Sequence, residues 1–112
     1  MGPLSATSCI AATCIVFALA TSAKADDANT FCKSIGETAR LIMERRQADV
    51  PMSAMMQAID GSKAPEAVGK FGRELVILAY QKPDFSVEEN QNEAIAEFVN
   101  EVELACYQRF GR

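Results

Sequence analysis

Ser86-Val-Glu-Glu-Asn-Gln-Asn-Glu-Ala-Ile-Ala-Glu-Phe-Val-Asn-Glu-Val-Glu-Leu-Ala-Cys106 is the stretch whose reading decides the fold. Its opening Ser86-Val87-Glu88-Glu89 has the S-x-x-E form of a capping box, in which serine and glutamate satisfy each other's free amides at a helix start. Beyond it, Phe98, Val99, Val102 and Cys106 lie within about 60° of Ile95 at 100° per residue, which makes the five one apolar stripe of a long helix. No stop signal follows until Gly111, so the helix runs to Phe110. Cys106 therefore sits on a core-facing stripe in the final turns.

Working outward, three more helices precede this one. Phe31, Cys32, Ile35, Ala39, Ile42 and Met43 recur at three-and-four spacing and predict a helix over Thr30 to Ala48, stopped by Pro51. Ser53 is placed to cap a short second helix in which Met52, Met55, Met56 and Ile59 share a face, and Gly61 ends it. Pro65 suits the first turn of a third helix, whose Val68, Phe71, Leu75 and Leu78 face one way while Val76 and Ile77 fall on other sides. A helix so apolar all round is expected at the centre. A buried strand over Leu75 to Tyr80 is the competing reading, but it has no second strand-like run to pair with. Gly69 and Gly72, each costing about 1 kcal/mol of helix propensity against alanine, point to a close helix crossing. The expected fold is all-α, a small four-helix bundle with one helix short, closed by one disulfide. Antiparallel packing of the first and last helices brings Cys32 and Cys106 to one end.

The N-terminal stretch reads as a leader. Cys9 to Ala20 is an apolar segment shorter than the ~20 residues a spanning helix needs, and Ala23-Lys24-Ala25 offers small side chains where signal peptidase cuts. Residues 1–25 are thus expected to be a cleavable signal peptide, and 26–112 a single helical domain. Cleavage removes Cys9 and Cys14 and leaves Cys32 and Cys106 to bridge. An uncleaved anchor from Leu4 to Ala23 is the competing reading, because no Lys or Arg precedes the apolar core. No stable membrane insertion is expected after cleavage.

Composition excludes more than it assigns. The 112 residues contain no histidine, which removes Ser-His and Cys-His nucleophile pairs, imidazole bases and most catalytic zinc sites. Two cysteines cannot close a structural zinc site. Gly61-Ser62-Lys63 lacks the spaced glycines and preceding strand of a phosphate loop. The net charge of −4, made more negative by loss of Lys24, disfavours nucleic acid and anionic membranes. Neither an enzyme nor a cofactor protein is expected.

Two features carry a binding hypothesis. Glu89, Glu93, Glu97 and Glu101 step by four along the last helix, and like charges at that spacing destabilise an isolated helix unless something compensates. Arg40, Arg45 or Arg46 of a neighbouring helix would neutralise a merely solvated face. Leu104, about 180° from Ile95, sits amid Glu93, Glu97 and Glu101, as an apolar anchor would within a charged rim. Met52, Met55 and Met56 fit core packing, with an adaptable partner groove or Cu(I) ligation by soft thioethers as alternatives.

Cys32-Lys-Ser-Ile-Gly-Glu-Thr-Ala39, Arg46-Gln-Ala-Asp-Val-Pro-Met-Ser53 and Ala79-Tyr-Gln-Lys-Pro-Asp-Phe-Ser86, followed by Cys106-Tyr107, resemble the small exported two-cysteine proteins of unknown function found in Gram-negative bacteria and their phages. The resemblance covers most of the mature chain and implies periplasmic export without transferring a site. In size and single-disulfide form the chain is also similar to periplasmic acid-stress chaperones, whose cysteines lie closer together in sequence. The expectation is a periplasmic or secreted, non-enzymatic binding or inhibitory module acting on a cell-envelope protein, with a basic surface as its partner. An acid-stress chaperone is the second reading and a Cu(I)-binding protein the third.

Overall fold

The computed structural model of the protein describes residues 27–111. The expected leader, its cleavage site and the anchor alternative lie outside them. Helix α1 occupies residues 27–47, α2 Met52–Gly61, α3 Glu66–Tyr80 and α4 Glu88–Phe110, with no strand among the described residues. The helices pack around one cluster of buried side chains, to which α2 contributes none that is fully buried.

α1, not α3, is the central helix. It buries Cys32, Ile35, Gly36, Ala39, Ile42, Met43 and Gln47, two of them small enough to let neighbours come close. A Cβ on Gly36 would lie 2.8 Å from Cγ of Glu103 on α4, so the two helices meet there backbone to side chain. The helix ends as the sequence signals, ahead of Pro51, through a Schellman arrangement. Val50 N–H donates to Arg45 O at 3.1 Å and Asp49 N–H to Arg46 O at 3.2 Å, with Asp49 at φ 62 in the position glycine usually fills.

The expectation for α3 needs correction. Its buried face is Gly72, Leu75, Val76 and Ala79, whereas Val68 and Leu78 are each 45% exposed and Ile77 is 44% exposed. The face is turned toward Gly72 because α2 docks there: a Cβ on Gly72 would lie 2.9 Å from Cγ2 of Ile59. An Arg73–Asp60 ion pair at 2.7 Å flanks the same contact. Gly69 faces open space, so only one of the two glycines serves a crossing. With α2 on one side of α3, its opposite side stays uncovered.

α4 buries the stripe expected of it, Ile95, Phe98, Val99, Val102 and Cys106. It runs antiparallel to α1, and Cys106 is bonded to Cys32 with the Cα atoms 5.6 Å apart. Beside the bond, the rings of Phe31, Phe71 and Phe110 meet with centroids 5.3 to 6.5 Å apart, and the Arg109 guanidinium lies 5.4 Å from the Phe110 centroid and 5.8 Å from that of Phe71. Three helix ends are thereby tied together around one covalent link.

Local capping signals fail at two helix starts. α4 begins at Glu88 with Val87 at its N-cap and no side-chain cap, so the Ser86/Glu89 box does not form. α2 begins at Met52 behind Pro51, which puts Ser53 inside the first turn rather than at the cap. In front of α4 the connecting loop is held instead by two glutamines. Gln47, buried on α1, donates from Nε2 to Pro83 O at 2.8 Å and accepts from the Phe85 amide at 2.9 Å. Gln91 donates to Phe85 O at 2.6 Å. These bonds place the loop between α3 and α4 and thus the spacing of those two helices.

Candidate functional site

The acidic face of α4 is laid out as the periodicity implies. Leu104 is 59% exposed, and Glu93, Glu97 and Glu101 are exposed beside it along three turns. Its neutraliser differs from the expected arginines of α1. Lys82, on the loop after α3, reaches Oε2 of Glu101 at 2.8 Å. Arg46 is committed elsewhere, donating to Lys82 O at 3.1 Å and lying 5.1 Å from the Tyr80 ring centroid. Glu93 and Glu97 make no ion pair among the described residues.

One step around α4 from Leu104 the surface becomes concave. A groove of about 230 Å³ separates α3 from α4, walled by Phe71, Glu74 and Leu78 on one side and Glu101, Ala105 and Arg109 on the other. Ile35 of the central helix and Cys106 lie at its floor, so it opens directly onto the disulfide end of the core. A second recess, of about 180 Å³, continues past Glu101 and is lined in part by Phe85, Ala94 and Glu97. Glu101 belongs to both and joins the groove to the acidic face. Periodicity singled out Glu101, gave Phe71 and Leu78 to the core face of the third helix, and did not mark Ala105 or Arg109. The surplus of apolar residues around α3 was the signal that its core face could not hold them all.

The methionines are divided. Met55 and Met56 pack against the core cluster with Ile59, while Met52 is 38% exposed. Packing thus occupies two of the three thioethers that a copper site would use. Among the described residues no group of three or more His, Cys, Asp or Glu side chains is placed to hold a metal ion, and no helix is long and apolar enough to cross a membrane.

At the opposite end of α1, the exposed Asp84 carboxyl lies beside that of Asp49. A hydrogen bond to Asp49 when Asp84 is protonated, followed by desolvation and the Asp49 charge, raises the Asp84 pKa above its ordinary value, with Arg46 opposing. Glycoside hydrolysis needs its two carboxyls about 5 Å or more apart, so this touching pair does not fit that chemistry. Its effect is on stability. A carboxyl raised in the fold adds stability below its unfolded pKa, near 3.8, and that contribution is lost as pH rises through the folded value. Asp84→Asn is expected to raise the melting temperature at about pH 7 and to leave it nearer wild type at about pH 4. Equal shifts at both pH values would remove the pair as the cause.

No family model matches the chain, and no curated protein or solved structure matches it.

Proposed function

We propose that the chain is an exported, periplasmic helical module that binds or inhibits a protein of the cell envelope and carries out no catalysis of its own. The observation that carries this reading is Leu104, 59% exposed within a glutamate face that adjoins an apolar groove. An exposed leucine gains little from its own bundle, whereas the same side chain buried at an interface and ringed by charge is a common energetic anchor. The Cys32–Cys106 bond supports an oxidising compartment, where such links persist. The lack of histidine in the sequence supports a binding role over acid–base chemistry.

Capture of the partner from periplasmic extract by tagged protein tests the reading when done with variants. Leu104→Ala is expected to weaken capture by about 1 kcal/mol or more, roughly fivefold, with the melting temperature almost unchanged. Glu97→Lys is expected to slow association and flatten its salt dependence. If Leu104→Ala leaves capture intact, or costs the isolated protein about 2 kcal/mol, the face is not the binding surface.

A further inference from the structure

The groove between α3 and α4 is small, apolar and acid-rimmed, and each property narrows its occupant. At about 230 Å³ it falls below the ~300 Å³ at which cavities for small organic ligands begin, so it suits side chains presented by a larger body. Two helices wall it and a third floors it, which makes it the vacant corner of a bundle. From Phe71 to Leu78 the α3 wall extends about 10.5 Å at 1.5 Å per residue, the distance between residues i and i+7 of a helix laid along it. Apolar side chains at i, i+3 or i+4, and i+7 would fill it.

Charge then selects among helices. Exposed Glu74 stands on one wall and Glu101 on the other, with Glu97 beyond it in the adjoining recess. Lys82 offsets Glu101 and Arg109 keeps its charge over the Phe71 and Phe110 rings, so the excess is one negative charge, with Glu74 and Glu97 in no ion pair among the described residues. A second copy offering its α4 would set glutamates against glutamates, a juxtaposition that opposes association.

We infer that this groove receives one amphipathic helix of a partner protein, apolar toward Ile35 and Ala105 and bearing lysine or arginine on its flanks. The inference rests on the reading of the chain as a binding module and commits that reading to a place and a ligand class. Two synthetic amphipathic peptides with the same leucine stripe serve as probes, one flanked by lysine and arginine and the other by glutamate. Titrated by fluorescence anisotropy against the disulfide-bonded protein, the basic peptide is expected to bind at least tenfold more tightly at low salt and to gain helicity. Ala105→Trp, which fills the groove, is expected to weaken it at least tenfold. Leu78→Lys, at an exposed wall position, provides the same test should Ala105→Trp not fold. Equal binding of both peptides, binding indifferent to both variants, or a protein dimer in ultracentrifugation that these variants dissolve would each overturn the inference. Loss of the captured partner with Leu104→Ala but not with the groove variants would overturn it while leaving the binding-module reading intact.

Discussion

Cys106→Ser is expected to lower the melting temperature by about 10–20 °C, the largest effect of any single change outside the aromatic core. The bond joins residues 74 apart in sequence, and the chain-entropy argument gives about 4.5 kcal/mol for closing such a loop, with about 2–4 kcal/mol usual in practice. Each kcal/mol moves the midpoint of a domain this small by about 4–8 °C. A serine hydroxyl buried at the same place adds a desolvation cost of its own, so Cys32→Ala/Cys106→Ala is the cleaner companion, and reduction of the wild type should reproduce it. The measurement is thermal unfolding by far-UV circular dichroism with and without reductant. A loss of only one or two degrees in all three samples would mean that the packing of Ile35, Phe98 and Val102 holds the bundle unaided.

Gln47→Leu is expected to destabilise the protein by about 1–3 kcal/mol, because it keeps the buried volume yet strips the partners from two backbone groups at once. Gln47 is 5% exposed and supplies both the donor to Pro83 O and the acceptor for the Phe85 amide. A hydrogen bond of this kind contributes about 0.5–1.5 kcal/mol net, and the two groups lie on exposed residues of the loop that positions α4 against α3. Urea unfolding gives the magnitude, and hydrogen exchange at Phe85 gives the location. Gln47→Glu separates geometry from volume. In its neutral form it can still donate to Pro83 O and accept from Phe85, so its deficit should shrink as pH falls and grow as the buried carboxyl ionises. A Gln47→Leu cost below about 0.5 kcal/mol, the range of ordinary surface changes, would show the loop to be held by other means.

The four helices and the buried stripe of α4 were legible because both are local: a 3.6-residue period, and breakers at Pro51, Gly61, Pro65 and Pro83, depend on nothing distant. The closing bond was legible from two cysteines on apolar faces near opposite ends. What could not be read was the choice among equals. Glu66, Lys70, Arg73 and Glu74 share one arc of α3, but the apolar side left over is too wide for the period to choose within it, and the Gly72 contact with Ile59 of another helix makes the selection. The capping box at Ser86 lost to Gln47, whose bond to the Phe85 amide spans 38 residues and so outcompetes a local preference from outside the local window. Leu104 was visible as a departure from the stripe. The groove beside it was not, because a gap is a property of helix spacing, and that spacing comes from the loop Gln47 holds.

The bond between Cys32 and Cys106 also sets an order of events in the making of the protein. Synthesis proceeds at about 5–20 residues per second, so the second thiol appears ~4–15 s after the first. Throughout that interval Cys32 lacks the thiol it is bonded to in the fold, on a helix whose inward residues have no α4 to cover them, since the pairing of α1 with α4 joins the two ends of the domain. Closure is therefore a terminal step, available to no nascent chain that stops short of the last turn of α4. Any chaperone or oxidant that meets the emerging chain meets it with Cys32 reactive and Ile35, Ile42 and Met43 uncovered, and quality control can distinguish a finished molecule from a truncated one by a single chemical criterion, whether that thiol is still free.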